Sequence, residues 1–222
     1  MLFRSAILRT NRDFRLLFFG QTVSQLGDWF NSVAVFALLL DLTGSATAVA
    51  WMMIVQFLPM AIVGPIAGVV VDRVDRRRLM MATDVLRGVL VLGLLLVRTR
   101  EQVWLAYVVM ALTVTGSAFF EPARTATIPN VTSKEELMPA NALSSATWAA
   151  MLAVGASVGG LVTAIAGRQI AFVINSLSFF VSAWFISRTR YDSRPSGKVP
   201  LKGWYALTGV PDMAEEIGRA HV

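Results

Sequence analysis

The sequence predicts an all-α membrane protein with six transmembrane helices, and three observations carry that prediction. Of 222 residues, 55% are hydrophobic and only 15% charged, against about 25% charged in an ordinary soluble domain. Six apolar runs are long enough to cross a hydrocarbon core of about 30 Å, which takes roughly 20 helical residues. The charges between them fall in short clusters, and Lys and Arg collect on alternate connections.

The runs cover residues 16–40, 46–71, 79–97, 103–120, 143–166 and 170–186. They are too long and too continuously apolar for the roughly ten-residue alternating strands of a membrane barrel, so helices are the remaining spanning solution. The first run exceeds the 7–15 residues or so of a signal h-region and ends without a small-residue cleavage site, so it is expected to stay as a helix. Thr43-Gly44-Ser45 supplies the turn to the second run, and Gly167 closes the fifth just before Arg168. The N-terminal arm, the second and fourth connections and the segment after the sixth run hold 15 Lys and Arg; the other connections hold 3, namely Arg98, Arg100 and Arg168. By the positive-inside rule both ends of the bundle are expected on the cytoplasmic side of a bacterial inner membrane. The net charge of +6 is then a topology signal and not a nucleic-acid patch.

Composition also narrows the chemistry. There is no Cys, and the single His221 stands next to the C-terminus. No metal, cofactor or enzymatic activity is expected, since neither a His-Glu-x-x-His nor a Gly-x-Ser-x-Gly pattern occurs. A phosphate-binding loop of the type that drives ATP-powered transport is absent as well.

The first run is not uniformly apolar. Gln21, Ser24, Gln25, Asp28, Asn31 and Ser32 fall within an arc of roughly 120° at helical spacing, so one face must meet protein or water. Asp28 lies near the middle, where a charged carboxylate costs about 2.5–3.5 kcal/mol even on the lenient insertion scale. It is a candidate for the substrate and proton pathway, or else a structural acid bonded to neighbouring helices. Gln21, Gln25, Asn31 and, on the second helix, Gln56 are the companion candidates, although uncharged amides also join helices. Asn175, Ser178 and Ser182 on the sixth helix read as packing residues, and Asp84 with Arg87, three apart, as a pair that neutralises itself.

The connection Gly64-Pro65-Ile66-Ala67-Gly68-Val69-Val70-Val71-Asp72-Arg73-Val74-Asp75-Arg76-Arg77-Arg78 is the most specific stretch of the chain. It resembles the signature loop Gly-x-Leu-Ala-Asp-Arg-x-Gly-Arg-Lys of the major facilitator superfamily, with Gly68, Asp72, Arg73, Arg76 and Arg77 on matching positions and Asp75 where a second glycine is usual. That departure, with Gln21–Trp29, Leu58-Pro59, Pro122-Ala123-Arg124 and Ala140-Asn141-Ala142-Leu143, is similar to the drug-efflux branch that includes macrolide-efflux proteins and the enterobactin exporter. The likeness covers nearly all of residues 10–190.

The resemblance implies six helices as two three-helix inverted repeats, forming half of a twelve-helix secondary transporter with the substrate held between halves. It implies a gate of Asp72 and Arg76 at the cytoplasmic surface, with Glu121 as a third member or as a local partner of Arg124. Gly155-Ala156-Ser157-Val158-Gly159-Gly160 is similar to the antiporter motif Gly-Pro-x-x-Gly-Gly, with Ala156 in the proline's place; Gly155, Gly159 and Gly160 also serve close helix contact. The arginine of proton-coupled relatives on the fourth helix is absent, Leu112 standing four residues before Gly116. The function so implied is export of an amphipathic drug-like or siderophore-like compound, coupled to H+ or Na+ and needing a C-terminal six-helix half. A complete six-helix pore or scaffold that dimerises is the alternative. The expected organisation is a bundle over 1–190, the start of a cytoplasmic linker over 191–215, and a tail over 216–222. That tail back-translates to the start of a common sequencing adapter and is expected to be non-native.

Overall fold

The computed structural model describes residues 7–191, and every regular element among them is helical. After a helical turn over residues 7–10, six long helices follow: α1 Arg12–Thr43, α2 Ala46–Val71, α3 Arg76–Leu92, α4 Val103–Val131, α5 Lys134–Ala166 and α6 Arg168–Ser187. All six are long and apolar enough to cross a membrane, α3 together with the 3-10 turn Gly93–Leu96 that continues it. The linker from residue 192 and the tail 216–222 lie outside the described residues.

Helix ends are set by caps, not by where hydrophobicity stops. Asn11 accepts from the Phe14 N–H at 3.0 Å and starts α1; Gly44, at φ 63°, ends it by donating to the Leu40 carbonyl at 2.8 Å. Asp75 caps α3 through the Arg78 N–H. Ser133 and Glu136 form a capping box that starts α5 nine residues before its apolar run. The fourth helix likewise runs past residue 120 to Val131, with Pro122 and Pro129 inside it. The apolar runs therefore mark the stretches able to cross hydrocarbon, whereas the helices themselves extend beyond those runs at one end.

That end is the basic one. Asn11 Nδ2 donates to the Val131 carbonyl at 2.7 Å and to Glu136 at 2.9 Å, and the Arg190 N–H donates to Asp13. Arg77 donates to the carbonyls of Ile186 and Ser187 at the end of α6. The N-terminal arm, the α2–α3 and α4–α5 connections and the end of α6 thus meet on one side, as the charge pattern requires. At the opposite end Arg168 pairs with Asp41, and the Tyr107 hydroxyl donates to the Ala48 carbonyl at 2.8 Å.

The packing pairs obey an internal two-fold. Exchanging α1, α2, α3 with α4, α5, α6 turns the α1–α5 contact into α4–α2 and the α1–α6 contact into α4–α3; α3–α6 maps onto itself. Because each repeat has three crossings, the two are inverted with respect to the membrane. Two apolar cores result. One holds Phe14, Leu17, Met80, Phe120, Ile128 and Ile186 near the basic end; the other holds Phe30, Leu38, Met52, Leu94, Phe172 and Phe179. Between them lies a buried polar layer with Ser24, Asp84, Arg87, Asn175, Ser178 and Ser182.

Candidate functional site

The site is built from α1, the helix with the polar arc. Small residues let its neighbours approach: a Cβ on Gly27 would overlap the Ser178 hydroxyl and the Asn175 amide of α6. On α5, a Cβ on Gly155 would overlap the Trp29 ring, and one on Gly159 would stand 3.0 Å from the Trp29 carbonyl oxygen. Gly160 meets nothing within 4 Å. Two glycines of the antiporter-like motif are therefore helix contacts within this bundle, and the third faces outward.

Clamped on those two sides, α1 turns its arc toward α3 and α4. Ser24 and Asn31 are buried; Gln21, Gln25, Asp28 and Ser32 are half-buried. Asp28 sits about halfway along the helix, beside the Asn175 amide, and the charges that act on it are those of Arg87, Asp84 and Glu121. Asn31 donates to the Met110 sulfur at 3.2 Å and is a packing contact with α4. Gln56 stands apart on α2, its side-chain nitrogen buried without a protein acceptor.

The Asp84–Arg87 pair is local, as its spacing predicts, but its position is not legible in the sequence. Both side chains are buried, 0% and 3% exposed. The guanidinium leaves α3, donates to Ser117 Oγ of α4 at 3.0 Å, and lies 4.6 Å from the Phe120 ring centre and 4.4 Å from that of Phe179. Gly116 makes the crossing possible, since a Cβ there would stand 2.9 Å from Arg87 Cγ. Desolvated cation–aromatic contacts of this kind are worth about 2 kcal/mol. A guanidinium carried by α3 is thus seated against α4. The available signal was the small Gly116-Ser117 step opposite a buried arginine.

Toward the basic end the arc opens on a cavity of about 330 Å³ between α1, α2, α4 and α5. Gln21 and Gln25 line it, as do Glu121 and Arg124, with Phe14, Phe18 and Trp148 as its aromatic walls. Glu121 accepts from Gln21 Nε2 at 2.8 Å and pairs with Arg124 at 3.1 Å. Of the two readings of Glu121, the local pairing with Arg124 is the one seen here; the helical rotation between Glu121 and Ala126 puts it on a different side of α4 from the carbonyl that Arg76 meets.

In the α2–α3 connection Arg76 binds Asp72 at 3.2 Å and donates to the Ala126 carbonyl at 3.0 Å. Arg76 is buried, whereas the Asp72 side chain is two-thirds exposed. Arg77 ties the connection to α6, and the Arg73 N–H closes the turn onto the Val70 carbonyl. A Cβ on Gly68 would meet nothing within 4 Å, so this glycine lies on an open face of α2. Among the described residues no three His, Cys, Asp or Glu side chains come together as metal ligands.

Comparison with known proteins gives these features a context. Residues 6–205 match the family described as transmembrane secretion effectors. BacE of Bacillus subtilis (strain 168), a proposed bacilysin exporter, is 30% identical over 181 residues, covering 82% of this chain and 45% of BacE. Macrolide efflux protein A of Streptococcus pyogenes is 26% identical over 179 residues, covering 80% of this chain and 44% of that protein. The MFS-type transporter YfiS of B. subtilis is 26% identical over 210 residues. The chain spans about half the length of these relatives. With six spanning helices in two inverted repeats and the acidic-basic loop between α2 and α3, the chain belongs to the transmembrane secretion effector family of the major facilitator superfamily.

Proposed function

We propose that the protein is the N-terminal six-helix half of an exporter that carries an amphipathic organic compound out of a bacterial cell by ion-coupled alternating access. The observation that carries this reading is Asp28, an acid at mid-helix that feels the buried Asp84–Arg87 pair and Glu121 and follows by three residues Gln25, which lines a cavity large enough for a small ligand. The names of the relatives, an exporter and an efflux protein, support the outward direction.

In this reading the basic end faces the cytoplasm. α2 and α5 expose apolar side chains such as Trp51, Phe57, Leu58, Trp148 and Leu161, and with Gly64, Gly68 and Gly160 open beside them they form the face for a second six-helix bundle. The coupling ion, H+ or Na+, binds at Asp28 and is exchanged for substrate as the cleft changes sides. One charge crossing 100 mV supplies about 2.3 kcal/mol, enough for an accumulation of roughly 50-fold. Asp72, paired with Arg76 here, is exposed enough to change partners when the halves separate on the cytoplasmic side.

The test is substrate uptake into inverted membrane vesicles carrying the transporter made from its complete reading frame, with an imposed pH or Na+ gradient. Asp28→Asn is expected to abolish gradient-driven flux while leaving the protein in the membrane; undiminished flux would remove Asp28 from coupling. The same exposed α2 and α5 faces allow a second reading, a six-helix scaffold that pairs with its own copy. A stable homodimer without transport would favour it.

A further inference from the structure

We propose that the cavity at the basic end binds a zwitterion: a small compound with an ammonium group, a carboxylate and an apolar body. It rests on the exporter reading only in taking this ligand to be the cargo. Glu121 and Gln21 receive the ammonium, and Arg124 receives the carboxylate.

The charge pattern of the wall selects this class. Glu121 and Arg124 stand one turn apart on α4, and both line the cavity. Two donors of Arg124, Nε at 3.3 Å and Nη2 at 3.1 Å, converge on the same Glu121 oxygen. The other carboxylate oxygen takes only Gln21 Nε2, and the remaining guanidinium N–H groups are free to meet a second carboxylate. A simple cation drawn to Glu121 would be opposed by Arg124 at nearly the same distance, and a simple anion would meet the reverse. A zwitterion places each charge opposite its complement and replaces one internal pair by two.

A second observation points the same way. Because Gln21 spends its amide N–H on Glu121, its Oε1 is left buried with no protein donor. An orphaned acceptor beside a carboxylate suits an ammonium, which carries three N–H groups. A dipeptide, at about 3.3–3.6 Å per residue, is long enough to set its ammonium and its carboxylate on opposite sides of the 3.1 Å Glu121–Arg124 pair. Phe14, Phe18 and Trp148 cover the apolar body.

The test is equilibrium binding to the transporter, produced from its complete reading frame and held in lipid nanodiscs. The probes are radiolabelled Phe-Ala, its N-acetyl form, its C-terminal amide and the doubly capped form. Phe-Ala is expected to bind about tenfold or more tightly than either singly capped form. Glu121→Gln should erase the advantage of the free amine and keep that of the free carboxylate; Arg124→Gln should do the converse. Glu121→Asp should retain the order of the four probes, which separates loss of charge from loss of fold. The proposal is overturned if the amide or the N-acetyl form binds as well as Phe-Ala, if no probe binds, or if neither charge-removing variant alters the order. Export fails separately: selective binding without gradient-driven flux would count against the transport reading alone, and flux with indiscriminate binding against the zwitterion alone.

Discussion

α1 and α4 bury 44% of their most apolar window inside the bundle, whereas α2 and α5, at least as apolar, bury 11%. In water the more hydrophobic helix would be the inner one; in a bilayer lipid is as apolar as a side chain, so hydrophobicity loses that meaning. The inner helices are recognised instead by their polar arc and by the glycines that meet them. Gly27 and Gly155 have no room for a Cβ and Gly159 only a tight fit, while Gly64, Gly68 and Gly160 have all of it.

The largest expected effect tests the polar layer directly. Arg87→Ala leaves Asp84 buried without its partner and should destabilise the bundle by about 3–5 kcal/mol, read as loss of folded yield and a lower midpoint in detergent thermal unfolding. Replacing both residues by apolar ones, Asp84→Leu with Arg87→Met, should recover much of the loss. If the single variant unfolds like wild type, the contrast between inner and outer helices does not rest on this layer. Next comes Gly155→Leu, which drives a side chain into Trp29 and should cost at least about 1–3 kcal/mol. Gly68→Leu on the open face should leave the unfolding midpoint unchanged and yet reduce export, since that face is where the second bundle is proposed to dock.

A smaller effect is expected from Gln21→Leu. It removes the 2.8 Å bond to Glu121 and should cost about 1.5–3 kcal/mol at a fully buried site, less here because Glu121 is one-third exposed. The smallest concerns Tyr191, beyond the end of α6. Burial pushes its phenol above the ordinary tyrosine value, so the neutral form is the one the fold favours. Its contribution is complete below about pH 10 and fades as pH rises through the folded-state value. Tyr191→Phe should remove that alkaline component and the contact with Thr127, costing about 0.5–1.5 kcal/mol in an alkaline unfolding series.

Six crossings and the polar face of the first were legible because each is a local property of composition and spacing. Helix ends were less so: the capping box Ser133–Glu136 was present in the sequence but lay outside the apolar run, and the fourth helix continues beyond its apolar run through Pro122. In the site, Gln21, Gln25 and Asp28 could be picked from α1 alone. The pairing of Gln21 with Glu121, a hundred residues away, could not, since it depends on how two helices rotate against each other. Asp84 and Arg87 announced each other by spacing, but not that Phe120 and Phe179 would close over them.

Asn11 carries an implication for biogenesis. Its oxygen caps α1 within three residues, but its nitrogen finds Glu136 only 125 positions later. At a translation rate of about 5–20 residues per second, the leading segment waits roughly 6–25 s for its counterpart to leave the ribosome. The first crossing can therefore be threaded early, yet its amino-terminal turn is secured only after the fourth has been inserted, which makes that hairpin the clasp of the nascent assembly.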